Sequence, residues 1–187
     1  MRRISLPQSW QQRALVITDV TDPESWFTED ELAVAYSHRL PQRQQQWMLS
    51  RIAAKQLARD RGQEASLQLK VERSTALSFS HSHGFGAAAM DAGAVGIDVE
   101  RLRTIDDRAA HLFLSAEEEE AMRACRIAER LLHFWCAKEA AWKQLGGSVT
   151  TLKQVPLRLL EVSESGLQFD RAETWATNEV VVALTTS

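Results

Sequence analysis

The sequence predicts an α+β protein made of two similar lobes, each with a long helix packed on a small antiparallel sheet. Helical and strand-like stretches alternate along all 187 residues without low-complexity segments. Tight turns that contain glycine join several of the strand-like stretches, as in antiparallel sheets. Residues 47–57 also align with residues 135–145, and strand, turn and strand follow each copy. This faint repeat predicts two lobes related by a pseudo-twofold, with a ligand cleft between them.

The N-terminal lobe is predicted to contain two helices. A strand at residues 14–17 precedes a helix at residues 28–40, which Pro41 ends because proline does not continue a helix. A second helix follows at residues 42–61 and stops at Gly62, a favourable residue just past a helix C-terminus.

The C-terminal lobe is predicted to contain one long helix. Ser115 and Glu118 have the spacing of a capping box, in which each side chain bonds the backbone amide of the other residue. The helix that begins there carries an apolar stripe and ends at Gly146-Gly147. We expect the lobes to be residues 1–92 and residues 93–187. The other strands are expected at residues 77–81, 85–90 and 95–100, which form an antiparallel meander, and at residues 166–169 and 179–184.

Composition narrows the class of protein. The net charge of −3 argues against a general nucleic-acid binder, which would carry a basic excess. No apolar stretch is long enough to cross a bilayer, and none follows the first arginines as a signal peptide requires. Cys125 and Cys136 lack metal-ligand spacing and are expected to be reduced structural thiols. We therefore expect a cytoplasmic protein that binds neither membrane nor nucleic acid.

The first candidate site is the strand Gly96-Ile97-Asp98-Val99-Glu100. Alternate residues of a strand share a face, so Asp98 and Glu100 project together while Ile97 and Val99 point into the core. Two adjacent carboxylates repel each other, and a divalent cation such as Mg²⁺ relieves the repulsion. The alternative is the solvent-facing edge of an amphipathic strand.

The second candidate lies in the long helix, within residues 134–143. Glu139 and Lys143 are four residues apart and share one face of the helix. The simplest interpretation is a surface ion pair, but here the pair stands between bulky tryptophans, Trp135 and Trp142.

The third candidate is the strand at residues 77–83, which contains Ser80, His81 and His83. A histidine and hydroxyls at the end of a strand can bind phosphate oxygens. A lone histidine on a strand is more often structural, and His81 with His83 could instead bind a transition metal.

Together and in this order, the three motifs resemble those of the single-chain, surfactin-type 4′-phosphopantetheinyl transferases. That family has a Ser-His-Ser strand, then Gly-Ile-Asp-x-Glu, then Trp-x-x-Lys-Glu-Ala-x-x-Lys. The resemblance covers residues 77–147, and the rest of the chain is similar only in layout. Two features depart from the family. The family's Gly-Lys-Pro sequence is missing from this chain, so Lys70 or Arg73 would have to replace its lysine. In addition, Ser78 stands where the family has asparagine.

The resemblance implies transfer of the 4′-phosphopantetheine group from coenzyme A to a serine of an apo acyl or peptidyl carrier protein, by a monomeric enzyme. It implies that Asp98, Glu100 and Glu139 bind Mg²⁺ beside the pyrophosphate of coenzyme A. Glu139 is the expected base for the serine hydroxyl, and Lys143 is expected to stabilise the leaving phosphate. The residues expected to bind coenzyme A are Ser80, His81, Lys138 and Lys143, with Arg43 and Arg51 at its 3′-phosphate.

Two other functions fit parts of the sequence. A metal-dependent hydrolase would use His81, His83, Asp98 and Glu100, but it leaves the helix with Glu139 unexplained. A non-catalytic module that binds carrier proteins would hold coenzyme A without turning it over. Such a module would not need both carboxylates of the strand together with the glutamate and lysine of the helix.

Overall fold

The computed structural model describes residues 1–63, 76–146 and 148–186. Lys70 and Arg73, the predicted substitutes for the family lysine, lie outside the described residues. Within these ranges the chain forms two antiparallel sheets, and one long helix packs on each, which confirms the predicted α+β class. The helices are α1 (Glu29–Ser37), α2 (Pro41–Asp60), α3 (Ala116–Ala124) and α4 (Arg130–Gln144), and the strands are β1 (Arg2–Arg3), β2 (Ala14–Thr18), β3 (Leu77–Ser82), β4 (Phe85–Met90), β5 (Ile97–Arg101), β6 (Leu159–Val162), β7 (Leu167–Phe169), β8 (Ala172–Ala176) and β9 (Val180–Thr185).

The first sheet has the strand order β1-β2-β4-β3, and α2 covers one of its faces. Alternate residues of β2 point to opposite sides. Leu15 and Ile17 therefore pack against α2, whereas Ala14 and Val16 pack against the second sheet.

The second sheet has the strand order β5-β9-β8-β7-β6, and α4 covers its outer face. Val181 and Ala183 of β9 pack against Leu132 and Ala140 of α4. Val182 points the other way, into an apolar core shared with the first sheet. The order of layers is therefore α2, first sheet, second sheet and α4. Among the described residues, no helix has the length and apolar character needed to cross a bilayer.

The predicted three-stranded meander is wrong in its third strand. β3 and β4 pair antiparallel as predicted, but β5 pairs with β9 in the other sheet. The segment between Met90 and Ile97 carries the chain from the first sheet to the second. Ile97 and Val99 then face the apolar core between the two sheets. The crossing to the second sheet is what buries these two side chains.

The single long helix predicted after Ser115 is two helices. The capping box itself forms, with the Ser115 hydroxyl 3.2 Å from the Glu118 amide and the Glu118 carboxylate 2.7 Å from the Ser115 amide. A turn then separates α3 from α4, and Glu129 in that turn has a φ of 54°. The break lets Glu118 form an ion pair of 2.7 Å with Lys138, residues that one continuous helix would hold about 30 Å apart.

Gly96, directly before β5, sets how closely α4 approaches the second sheet. A Cβ atom here would overlap the carbonyl oxygen of Ala140 in α4. We predict that Gly96→Ala lowers the free energy of unfolding by about 1–3 kcal/mol, because overpacking against backbone forces the two elements apart. Denaturant unfolding measures the change. Gly93→Ala is the matched control, since nothing lies within 4 Å of a Cβ there, and equal losses in both variants would contradict this interpretation.

Candidate active site

The three predicted motifs, on β3, β5 and α4, meet at one carboxylate. Asp98 Oδ1 accepts a hydrogen bond of 2.7 Å from the Ser80 hydroxyl and another of 2.7 Å from the Lys143 ammonium group. Lys143 also donates to the carbonyl oxygen of Ile97 at 3.0 Å. Asp98 Oδ2 is buried and has no hydrogen-bond partner among the described residues.

The local sequence explains this convergence. Ile97 and Val99 face the core between the sheets, so Asp98 and Glu100 face the side of the second sheet that α4 covers. Glu139 and Lys143 lie one helical turn apart on α4, on the side of the helix that meets β5. Acidic groups from the strand and charged groups from the helix are thereby brought together where β3, β5 and α4 meet, a region that we call the cleft.

Burial and mutual repulsion disfavour the charges of two of the three carboxylates. Burial raises the pKa of Glu100, and the charge of Asp98 raises it further, although Glu100 also accepts a hydrogen bond of 2.9 Å from Ser82. Burial likewise raises the pKa of Glu139, and Asp98 adds to this effect while Lys143 opposes it. The cleft therefore concentrates negative charge that is only partly balanced by Lys143 and by Arg103, which lies 3.5 Å from the Glu100 carboxylate.

Arg51 on α2 is a partly buried cation that has no counter-ion among the described residues. Its guanidinium group lies 4.8 Å from the ring centre of Trp47 and 4.5 Å from that of Phe79. Burial lowers the pKa of Arg51 to about 10. It donates to the Ser50 hydroxyl at 3.0 Å, but within the described part of the chain it forms no ion pair, and its Nε has no hydrogen-bond partner. A guanidinium group in this condition is suited to bind an anion.

His81 lies close to three cationic side chains. Burial lowers the pKa of its imidazole, and the nearby charges of Arg43, Lys143 and Arg51 lower it further. Its Nδ1 is buried and makes no hydrogen bond to any described residue. The cleft is thus bordered on one side by three cationic side chains and a neutral imidazole that can donate or accept a hydrogen bond.

Arg43, Arg51 and Lys55 are spaced eight and four residues apart and could share one face of α2, but this face is only partly available to a ligand. Arg43 donates to Gln46 at 3.3 Å and lies near His81. Lys55, the third residue that could share the face, is instead bound to Glu31 at 2.7 Å and to the carbonyl oxygen of Trp26 at 2.8 Å.

Lys138 does not reach the cleft, which corrects its predicted contact with coenzyme A. Its side chain is fully buried, lies 2.7 Å from the Glu118 carboxylate and also donates to the carbonyl oxygen of Val155. Successive residues of an α-helix point in directions about 100° apart, so Lys138 faces α3 when Glu139 faces β5. Lys138 is a structural residue that holds α4 against α3.

The described residues contain no group of three His, Cys, Asp or Glu side chains already arranged to hold a metal ion. No such group therefore exists at His81 and His83, or at the three predicted magnesium ligands, in the described part of the chain. The charge of the cleft still suits a divalent cation, because Asp98 Oδ2 is buried without a partner and repulsion contributes to the raised pKa of Glu100 and of Glu139. An ion would bind here together with a ligand that supplies further oxygens.

A cavity of about 320 Å³ lies on the other face of β5. Arg101 lines it, and this residue alternates with Asp98 and Glu100 along the strand. Arg2, also in the lining, bonds Asp19 at 2.9 Å and Glu179 at 2.6 Å. These charges therefore compensate one another, unlike those of the cleft.

The sequence analysis missed Ser82, which donates to Glu100 as Ser80 donates to Asp98. The signal was present as serine at every second position of β3, at residues 78, 80 and 82. Three small hydroxyls on one face of a strand indicate a polar contact with a neighbouring element, whereas an ordinary buried strand face is apolar.

The charge of the half-buried Glu139 is expected to oppose folding at neutral pH, because desolvation and Asp98 raise the pKa of its carboxyl group. A carboxyl whose pKa rises on folding binds its proton more tightly in the folded state, so stability is lost as pH rises through the raised value. We predict that Glu139→Gln, which cannot ionise, melts a few degrees above the wild type at pH 8. The difference should vanish below the ordinary pKa of 4.5.

Calorimetric melting across this pH range measures the effect, with Glu164→Gln in the exposed turn between β6 and β7 as the control. A Glu139→Gln protein that melts below the wild type at pH 8 would show that the carboxylate stabilises the fold.

Residues 94–184 match the family model described as the 4′-phosphopantetheinyl transferase superfamily. The matched segment contains the carboxylates and lysine of the cleft, but not the arginines of α2 or the serines of β3. A search of curated proteins found no match to this chain. The matched segment is thus similar to the superfamily that the sequence motifs also resemble.

Proposed function

We propose that this chain transfers the 4′-phosphopantetheine group from coenzyme A to a serine of an apo acyl or peptidyl carrier protein. The serine oxygen forms a bond to the β-phosphorus of coenzyme A, the bond from that phosphorus to the bridging oxygen breaks, and adenosine 3′,5′-bisphosphate leaves. The observation that carries this proposal is the meeting of three motifs at Asp98, where Ser80 and Lys143 bond the same carboxylate oxygen.

Glu139 is the proposed base for the serine hydroxyl. Its pKa is raised by burial and by Asp98, and a carboxylate with a raised pKa accepts a proton more readily than an ordinary one. After the transfer, the proton passes from Glu139 to solvent.

Lys143 is proposed to stabilise the negative charge that develops on the leaving phosphate. Its ammonium group is already held at the carboxylate cluster by Asp98 and by the carbonyl oxygen of Ile97. A fixed cation of this kind stabilises charge in the transition state without having to reorganise.

The cations of α2 and β3 are proposed to bind the other phosphates. Arg51 is the first candidate for the 3′-phosphate, because its buried guanidinium group lacks an ion pair among the described residues. Arg43 is the second, and His81 is proposed to bond a pyrophosphate oxygen.

Mg²⁺ is the proposed cofactor, held by Asp98, Glu100 and Glu139, and when bound it would neutralise phosphate charge and orient the pyrophosphate. We further propose the surfactin-type, single-chain subtype, with lobes at residues 1–92 and 93–187 related by a pseudo-twofold. In this proposal the enzyme is a cytoplasmic monomer.

The test of the function is incubation with coenzyme A, Mg²⁺ and a panel of apo carrier proteins, followed by intact mass of the carrier. We expect one carrier to gain the mass of one phosphopantetheine group. Asp98→Asn and Glu139→Gln should lower the rate on the order of a hundredfold, since each removes a ligand or the base. Glu164→Gln should transfer at the wild-type rate.

One outcome would reject the proposed site, and two would reject the proposed function. Folded Asp98→Asn and Glu139→Gln proteins with near wild-type turnover would reject the site. Zn²⁺ binding that requires His83 and is indifferent to coenzyme A would favour the hydrolase. Tight binding of coenzyme A with no transfer to any carrier would favour a binding module.

Arg51 supplies a separate prediction about coenzyme A recognition. We predict that Arg51→Ala raises the KM for coenzyme A by roughly 10- to 100-fold, the effect of losing a charged hydrogen bond, and leaves kcat nearly unchanged. Dephospho-coenzyme A, which lacks the 3′-phosphate, should bind the variant and the wild type with similar affinity.

Arg59→Ala is the matched control, because Arg59 lies on the same helix and also stacks on a tryptophan, Trp26, at 4.6 Å. It should leave both ligands unaffected. If Arg51→Ala weakens coenzyme A and dephospho-coenzyme A equally, Arg51 does not bind the 3′-phosphate.

A further inference from the structure

β3 and β5 are neighbours that no backbone ladder joins among the described residues. β5 pairs with β9 along one edge, and in an antiparallel pair only alternate residues direct their N–H groups to that partner. The amides of Ile97, Val99 and Arg101 point to the other edge, where β3 lies. Buried N–H groups without a partner are costly, so these three amides need acceptors from β3.

Serine hydroxyls on β3 provide these acceptors. The pairs follow one another along the strands: Ser78 with Ile97 at 3.1 Å, Ser80 with Val99 at 3.3 Å, and Ser82 with Arg101 at 3.2 Å. The two residues of each pair are 19 positions apart in the sequence. A constant offset means that β3 and β5 run parallel and keep one register, although side chains and not backbone carbonyls join them.

Two of these hydroxyls also contact the carboxylates of the cleft. A hydroxyl has one hydrogen and two lone pairs, so a serine that accepts from an amide still has its hydrogen to donate. Ser80 donates to Asp98 at 2.7 Å and Ser82 donates to Glu100 at 2.9 Å. Ser78 has no carboxylate partner in the described ranges. His83 Nδ1 lies 3.3 Å from the Ser82 hydroxyl and can donate to its remaining lone pair.

We propose that Ser78, Ser80 and Ser82 form a hydroxyl seam that joins the two sheets, and that Ser80 and Ser82 are positioning residues that orient Asp98 and Glu100. The positioning part rests on the proposed transferase function, whereas the seam does not. All three serines are at least nine-tenths buried. Ser80 therefore acts on coenzyme A through Asp98, because its only hydrogen is already donated.

Hydrogen exchange at single amides, measured by NMR on the whole chain, tests the seam without coenzyme A or a carrier. In the wild type the amides of Ile97, Val99 and Arg101 should be protected. Substituting each serine by alanine should speed exchange about fivefold or more at its own partner amide, and less at the other two. Fast exchange at all three wild-type amides would overturn the seam, and equal acceleration at all three in each variant would overturn the pairing.

The positioning role is tested by comparing Ser82→Ala with Ser78→Ala. Both variants lose one bond of the seam, but only Ser82→Ala releases a carboxylate. We expect Ser82→Ala to lower kcat about tenfold, to change the KM for coenzyme A by less than about twofold, and to weaken Mn²⁺ binding to the coenzyme A complex about tenfold, as read by electron paramagnetic resonance. Ser78→Ala should keep all three values near those of the wild type.

Ser82→Thr retains the hydroxyl and should restore kcat and Mn²⁺ binding. Equal losses of Mn²⁺ affinity in Ser78→Ala and Ser82→Ala would make Ser82 merely structural and overturn its positioning role. If the wild type has protected amides but modifies no carrier, the proposed function fails and the seam stands.

Discussion

Asp98 Oδ1 accepts two hydrogen bonds of 2.7 Å, one from the first sheet through Ser80 and one from α4 through Lys143. Three elements distant in sequence are thereby fixed to one carboxylate. The close approach of α4 at Gly96 makes this arrangement possible, because any side chain there would overlap the helix backbone. Stability comes mainly from the apolar cores between the sheets and under the two long helices, and the polar contacts at Asp98 fix how β5 is aligned with α4.

The charges of this protein fall into two kinds. Lys138 and Glu118 are both buried, but they bond each other and neighbouring backbone groups, so the pair requires no ligand. Arg51 and Asp98 each retain a buried polar atom without a hydrogen-bond partner in the described part of the chain. A buried polar atom in this state is costly unless something binds it. At the candidate site, Arg51 and Asp98 thus have buried atoms that a charged ligand could bind, whereas Lys138 and Glu118 do not.

A ligand with several phosphates and a divalent cation would satisfy both unpaired groups at once. Anionic oxygens match Arg51, and a cation matches the carboxylates on β5 and α4. Because the carboxylates are not arranged as a complete metal site, the cation and the phosphates are expected to bind together. This expectation fits transfer chemistry, in which positioning and charge neutralisation contribute most of the catalysis.

Residues that start or stop helices allowed the sequence to predict helix boundaries, because these boundaries depend on interactions between neighbouring residues. Pro41 and Gly62 bracketed α2, and the Ser115 capping box marked the start of α3. The pairing of β5 with β9 could not be predicted from local signals, because it joins residues about 80 positions apart in the sequence. The break between α3 and α4 contains neither glycine nor proline. It accompanies two tertiary contacts that the local sequence does not reveal: the pairing of Glu118 with Lys138 and the packing of Cys125 into the core.

The candidate site, too, could be predicted from the sequence only in part. The motifs predicted that Asp98, Glu139 and Lys143 share a cleft, and the structure places them together. The motifs could not separate Lys138 from Glu139, because adjacent charged residues on a helix look alike until the packing of α3 is known. Strand β6 was missed because its apolar residues Leu160 and Val162 are exposed at a sheet edge, where no buried alternation marks them.

The most direct measurement is a crystal structure of the protein with coenzyme A and Mg²⁺ bound. We predict that the pyrophosphate and the ion lie beside Asp98, Glu100 and Glu139, with the 3′-phosphate at Arg51. Coenzyme A in the cavity on the opposite face of β5, or a metal held between His81 and His83, would contradict this prediction.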